Sequence, residues 1–222
     1  MGFFMHPRDA LLFLRSARTD AAIARLTPGL GRNAALEAVY AADADPWQSA
    51  SPRFLYQRRK YQRLAALLPE GRRFDHALDL GCGLGLFAAE LAGRAARVTG
   101  VDVAPSAVAR ARLAYPALDF ACHDITALPA AYDGGFDLVT IADVLYYLAE
   151  PDDAAFAAMG QRMVRLLRPG GLCLIADHYF FALDPDSRRS RRIHTAFATT
   201  PGLTRQGSHR AAFWIASVFS RT

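Results

Sequence analysis

Apolar positions along the chain change their spacing near residue 74. Before that point they recur at helical intervals. "DALLFLRSARTDAAIARL" carries them every three to four residues, and "TPGLGRN" breaks the run. A second helix is predicted around 33–42, ending near "DADPW". "SPRFLYQRRKYQRLAALLP" reads as a third, with Ser51 as N-cap, Pro52 at its first position, and Pro69 and Gly71 ending it. From 74 onward short apolar runs alternate with helical stretches. "HALDLG", "RVTGVDV", "LDFACHDI", "FDLVTIADVLYYL" and "RPGGLCLIADHYF" read as strands. "LFAAELAGRA", "PSAVARARLAY" and "DDAAFAAMGQRMVRLL" read as helices, the last capped by Asp152 or Asp153.

Such alternation predicts an α/β fold: a mostly parallel sheet with helices on both faces. Right-handed crossovers make a doubly wound, Rossmann-like sheet the simplest topology. The final "GSHRAAFWIASVFS" is β-prone and reads as an added edge strand, its direction left open. "FFALDPDSRRSRRIHTAFATTPG" fits no pattern and reads as a mobile flap over the site. The chain thus divides into a helical segment, 1–73, expected to cap the site, and an α/β domain, 74–222.

Composition narrows the setting. With 222 residues, 52% hydrophobic and 21% charged, the chain suits one globular domain plus an appended segment. No apolar run reaches the ~18 residues needed to span a bilayer, and the N-terminus lacks the pattern of a secretion signal. No membrane partner is expected. Cys82, Cys122 and Cys173 are odd in number and lack metal-ligand spacing, so they read as reduced thiols in a cytoplasmic protein without a metal site. The net charge is +5, almost all from arginine; Lys60 is the only lysine. Arg188, Arg189, Arg191 and Arg192 form a cluster that could meet phosphate or nucleic acid. A solvated face is the favoured reading, so nucleic acid is not the expected partner.

The chemistry starts at "ALDLGCGLG", where the first strand runs into Gly81, Gly83 and Gly85. In an open doubly wound sheet a ligand sits at the carboxyl ends of the strands. Glycines there permit positive φ and keep Cβ atoms out of the ligand's way. The dinucleotide fingerprint G-x-G-x-x-G would need a third glycine where Leu86 stands. Asp79, just ahead of the loop, is a poor neighbour for a pyrophosphate and suits a ligand with an ammonium group. Asp102 ends the second strand, where a carboxylate can accept from both ribose hydroxyls. Asp124 closes the third strand, placed to accept from an adenine amino group. Asp143 closes the fourth, facing the same crevice or capping "VLYYL".

These pieces, with "VTGVDVAPSAVARAR", "FACHDITALP" and "LLRPGGLCLIAD", resemble a class I S-adenosylmethionine-dependent methyltransferase over residues 75–180. The resemblance implies S-adenosyl-L-methionine as cofactor and S-adenosyl-L-homocysteine as product. It places Asp79, Gly81, Cys82, Gly83 and Gly85 at the methionine part, and Asp102 at the ribose. Val103 falls against the adenine, Asp124 and the Ile125 backbone at its edge, and Asp143 beside the methionine end and the acceptor. The lead-in "DPWQSASPRFLYQRRKYQRLAALLP" with "VLYYL" resembles the nodulation protein S family, which N-methylates the amino group of a deacetylated chitooligosaccharide. That likeness puts Tyr61, with Arg58 or Trp47, near the methionine carboxylate or the acceptor.

The expected activity is therefore methyl transfer to a small molecule, with an amino sugar or deacetylated oligosaccharide as leading acceptor. O-methylation of a sugar, polyketide or other metabolite is the alternative within the class. An NAD-dependent oxidoreductase is disfavoured by Leu86. A nucleobase-amine methylase is disfavoured because "ADVLYYL" stands where such enzymes carry D/N-P-P-Y. His178, after the fifth strand, is the candidate base, with a structural hydrogen-bonding role as the alternative. Tyr56 and Tyr61 diverge on a helix, so at most one is expected to reach the cofactor. Tyr146 and Tyr147 are expected to point apart, and Cys82 is expected simply to be small. A homodimer is left open.

Overall fold

The amino-terminal helices divide at a single glycine. The computed structural model describes residues 10–148, 152–180, 184–211 and 213–222. Helix α1 (Ala10–Leu30) runs straight through Pro28, past the predicted break. The cost of proline's missing N–H is contained locally. Thr27 Oγ1 donates to the Ile23 carbonyl at 2.7 Å, and Gly31 N closes the last turn on Thr27 O at 2.8 Å. Gly31, at φ 78°, then redirects the chain into α2 (Arg32–Ala42). Helix α3 starts at Tyr56, not after Ser51, and ends at Ala66. Ser51 is used in a turn: Arg53 N donates to its Oγ at 3.3 Å and Phe54 N to its carbonyl at 3.3 Å. That turn sends Phe54 into the core.

Seven strands follow: β1 (Phe74–Leu80), β2 (Ala95–Asp102), β3 (Asp119–Cys122), β4 (Phe136–Ala142), β5 (Leu167–Tyr179), β6 (Leu203–Ala211) and β7 (Phe213–Arg221). They form one sheet in the order β3-β2-β1-β4-β5-β7-β6. The pairings from β3 to β5 are parallel; β7 runs antiparallel to both β5 and β6. The terminal segment is thus a hairpin slotted beside β5, and β6 is the edge, where one last edge strand was expected. β3 is shorter than predicted, so His123, Asp124 and Ile125 lie in the loop beyond it.

Period-two alternation in the buried strands feeds two cores. Leu172, Leu174 and Ala176 of β5 join Phe74, Leu138 and Trp214 on the face covered by α3, α4 (Leu86–Leu91) and α5 (Pro105–Ala114). Cys173 and Ile175 join Leu78, Val139 and Phe219 on the face covered by α6 (Asp153–Leu166) and α7 (Pro185–Ala198). Asp152 caps α6, its Oδ1 accepting from Ala155 N at 2.8 Å. Asp184 caps α7 by accepting from Ser187 N at 2.8 Å. The segment read as a flap is therefore a packed helix over 185–198, burying Ile193 and Phe197. Its residues 181–183 lie outside the described ones.

Strand order reverses between β1 and β4, so the loops leaving their carboxyl ends turn to opposite sides of the sheet and leave a crevice. Helices α1 and α2 lie across that edge. Ile23, Ala35 and Val39 pack together beside Trp47 and Tyr147, and α2 rests on α5.

Candidate active site

A cavity of about 760 Å³ opens at this edge, walled by the loops after β1, β2, β3, β4 and β5 and roofed by α1, α2 and α3. The loop after β1 forms its floor. Gly81 sits at φ 71°, and a Cβ there would collide with both γ-methyls of Val144, the farther at 2.8 Å. A Cβ on Gly83, at φ 51°, would lie 2.7 Å from the Tyr40 hydroxyl. The loop is thus clamped between the end of β4 and the roof. Gly81 N and Cys82 N both donate to Val101 O, at 2.7 and 2.9 Å.

Asp102 ties this loop to β2. Its Oδ2 accepts from Gly83 N at 2.8 Å and its Oδ1 from Ala104 N at 3.0 Å. Burial pushes the carboxyl's pKa up, against the pull of those hydrogen bonds. Asp124 holds the far end, accepting from Thr126 N and Oγ1 at 2.8 and 2.7 Å and from Asn33 of α2 at 2.8 Å. Desolvation would raise its pKa, but the donors from Thr126 and Asn33 outweigh it and hold it below the usual value. Val103 and Ile125 line the wall between the two carboxylates.

Asp143 faces the loop from across the switch point. It adopts φ 60°, a left-handed conformation that a non-glycine residue holds only when its surroundings fix it. Its N–H is bound to Ala176 O at 2.8 Å. Its Oδ2 meets the Lys60 ammonium at 2.5 Å, and Lys60 is only 2% exposed. Gln57 Nε2 stands 3.5 Å from the same oxygen, and Oδ1 is buried with no partner among the described residues. Asp143 does not cap the short 3₁₀ turn Leu145–Tyr147; Val144 occupies the cap position and offers no side-chain bond. Lys60, not Arg58, is the cation here; Arg58 is exposed and outside the cavity wall.

Tyr61 stacks on Phe87 with ring centroids 5.0 Å apart. Desolvation raises the pKa of its hydroxyl, and the charges of Asp143 and Asp79 act in the same direction. Tyr56 lines the cavity as well. Tyr56, Lys60, Gln57 and Tyr61 span an arc of about 140° on α3, all of it cavity wall. Tyr146 and Tyr147 also share the wall, their rings 4.6 Å apart; Leu145 is the core residue of that turn. The Tyr147 hydroxyl is fixed by Asp20 of α1 at 2.5 Å and by Trp47 Nε1 at 3.1 Å. His178 completes this end, its ring edge-on to Tyr146 at 4.4 Å.

Two expected contacts do not reach the cavity. Asp79 lies behind the loop, 2% exposed, with Oδ1 accepting from Thr140 Oγ1 at 2.7 Å and Oδ2 unpartnered among the described residues. Burial pushes its pKa up to about 7, the Thr140 hydrogen bond opposing. Gly85, at φ 80°, turns the chain into α4 with its Cα against Phe120 and Tyr115. Both shape the loop from beneath. Sequence reasoning missed Lys60, Gln57, Asp20 and Asn33 as wall residues. The available signals were the position of Gln57 and Lys60 inside the quoted lead-in and the isolation of Lys60 as the single lysine among 26 basic residues. The α7 arginines are engaged locally: Arg192 with Asp153 at 2.8 Å, Arg189 with Asp186 at 3.3 Å and Arg191 with the Tyr179 hydroxyl at 3.1 Å.

A sequence profile described as "Methyltransferase domain" matches residues 77–171. Nodulation protein S of Rhizobium tropici is 32% identical over 164 residues, covering 72% of this chain and 63% of that protein. Nodulation protein S of Sinorhizobium fredii (strain NBRC 101917 / NGR234) is 33% identical over 162 residues, covering 72% and 69%. The chain belongs to the nodulation protein S family. It spans somewhat under two thirds of the Rhizobium tropici protein's length. The crystal structure of the N-methyltransferase NodS from Bradyrhizobium japonicum WM9 with S-adenosyl-l-homocysteine superposes with a TM-score of 0.71 at 25% identity, covering 86% of this chain and 98% of that one. A ubiquinone biosynthesis O-methyltransferase of Xanthomonas oryzae pv. oryzae (strain PXO99A) is 36% identical over 98 residues, 42% of this chain and 39% of that protein. This nodulation protein S relative is an S-adenosylmethionine-dependent methyltransferase with a Rossmann-like fold. The cavity fits that cofactor. It offers a glycine floor that a Cβ would obstruct, two strand-end carboxylates, and an orphaned Asp143 oxygen beside a buried cation.

Proposed function

We propose that this methyltransferase N-methylates a small-molecule amine, such as an amino sugar or a deacetylated oligosaccharide. The observation that carries this reading is the acceptor end of the cavity. The carboxylates of Asp20 and Asp186 stand there among the rings of Trp47, Tyr146, Tyr147 and Phe180. Aromatic faces and carboxylates together suit a cationic nitrogen borne on a ring. The nodulation protein S relatives and the N-methyltransferase NodS likeness support the same choice.

In this reading S-adenosylmethionine supplies an electrophilic methyl group on its sulfonium. The protein's task is alignment and exclusion of water. Gly81, Cys82 and Gly83 pass under the methionine part. Asp102 accepts from the ribose hydroxyls, Val103 and Ile125 flank the adenine, and Asp124 accepts from its amino group. Lys60 and Asp143 present a cation and an anion to the amino-acid end, which carries the complementary pair, and Tyr61 closes over it. Asp79 and Gly85 act through the loop. The helices of residues 10–73 serve as the cap, and His178 as the acceptor-side base.

The test is mass spectrometry of products after incubation with isotope-labelled cofactor and a panel of amines, deacetylated oligosaccharides and phenols. A labelled methyl on nitrogen is the expected result. Labelling of hydroxyls alone would overturn it. O-methylation is the second reading, favoured by the ubiquinone O-methyltransferase match.

A further inference from the structure

We propose that the acceptor arrives as an ammonium, and that Asp186 on the first turn of α7 positions His178 to take its proton. The inference rests on the N-methylation reading and assigns α7 to the reaction.

Two hydrogen bonds and one close polar contact tie the end of β5 to α7. Ser190 Oγ donates to the His178 carbonyl at 2.7 Å. Phe180 N donates to Ser187 Oγ at 2.9 Å. Both serines are buried on the inner face of α7. The preceding residue, Asp177, lies 3.3 Å from His194 Nε2 of α7, and His194 Nδ1 meets Ser217 of β7 at 2.8 Å. The end of β5 is thus held against α7 on both sides of His178. The same helix delivers the Asp186 carboxylate 3.9 Å from His178 Nε2. That nitrogen is shielded from solvent and has no hydrogen-bond partner among the described residues, whereas the Asp186 side chain is half exposed. Tyr146 holds the ring plane from the other side. At 3.9 Å no hydrogen bond is made to the neutral imidazole, but the carboxylate's charge favours the tautomer with its proton on Nε2, and the contact shortens to a charge-assisted bond when the ring gains a second proton.

An ammonium has no lone pair and cannot attack. His178 accepts one proton from it and leaves the free amine. The amine's lone pair forms the new N–C bond while the S–C bond breaks and its electron pair stays on sulfur. The product is a methylammonium; once it leaves, the imidazolium gives the transferred proton to water and keeps the one on Nε2. One proton is released per methyl transferred. His178 is the catalytic residue in this scheme and Asp186 a positioning residue.

The experiment compares two probes, deacetylated chitotetraose and an alkoxyamine whose nitrogen is already neutral at assay pH. D186N should lower kcat on chitotetraose about 30-fold with KM within about threefold, and H178N about 100-fold or more. With the alkoxyamine both losses should shrink to within about threefold. D186E should recover a third or more of the chitotetraose rate. The ¹⁵N imidazole spectrum should hold the His178 proton on Nε2 in the wild type and lose that preference in D186N. Equal losses on both probes, no loss in D186N, or an unchanged spectrum would overturn the proposal. Failure of the wild type to methylate either probe while still binding S-adenosylhomocysteine would instead overturn the amine reading itself.

Discussion

At the end of the cavity proposed for the cofactor the wall is backbone and the short carboxylates of Asp102 and Asp124. At the end proposed for the acceptor it is long side chains brought from α1, α3, α7 and the turn after β4. The contacts differ in reach. Gly83 and Asp102, which set the cofactor floor, are 19 residues apart. Lys60 and Asp143, at the boundary between the ends, are 83 apart, and Asp20 and Tyr147 are 127 apart. The first end follows from local turn geometry inside the sheet. The second exists only once the roof helices have docked. A fold that separates the two can keep its cofactor while changing its acceptor, because replacing a roof side chain leaves the glycine floor untouched.

The largest expected effect tests how dry the cofactor end is. Burial gives Asp79 a folded-state pKa of about 7, above its unfolded value near 3.9. Between those values the folded chain holds a proton that the unfolded chain has released. Stability should therefore fall as pH rises from about 4 to about 7 and level off above, by up to about 4 kcal/mol from this group. D79N removes that component, so urea denaturation near pH 4.5 and pH 8 should show a flatter response than the wild type. Parallel curves would mean that water reaches Asp79.

Next comes the floor itself. Gly81→Ala puts a Cβ into Val144 at a positive φ and should cost about 3 kcal/mol of stability, with weaker binding of S-adenosylhomocysteine by calorimetry. Gly134→Ala has a similar φ but open space around it, and should cost about 1 kcal/mol with unchanged affinity. Equal costs would reduce the floor to an ordinary turn.

Lys60→Met tests the boundary. It should weaken S-adenosylhomocysteine about 30-fold, the scale of one charge-assisted bond. Binding of 5′-methylthioadenosine, which lacks the amino-acid end, should stay within about twofold. Equal losses for both would place Lys60 in a general structural role. The smallest effect belongs to the roof. Tyr147→Phe loses its bonds to Asp20 and Trp47 and should cost about 1 kcal/mol, raising the acceptor KM without changing cofactor affinity.

Legibility in the sequence followed the same division. Strand–helix alternation, the glycine loop and the strand-end acids were readable because each is set by neighbours a few residues away. Motif membership did not reveal that Asp79 and Gly85 face away from the cavity, since that depends on how the loop folds over α4. Helix α7 was misread because its buried face carries Ser187, Ser190 and His194 beside Ile193 and Phe197, which blurs the apolar stripe. The start of α3 was misplaced because Ser51 and Pro52 serve a tight turn as readily as a helix cap. Lys60 sits within the quoted lead-in, but only its docking against Asp143 gives it meaning.

The burial of Lys60 has a practical use. A lysine-specific protease has one site in the whole 222-residue chain, the bond after Lys60, and that bond lies inside a roof helix. Cleavage requires α3 to come away from the cavity. A single nick in the native protein therefore counts roof openings, and its slowing by added ligand would measure how firmly each ligand holds the roof shut.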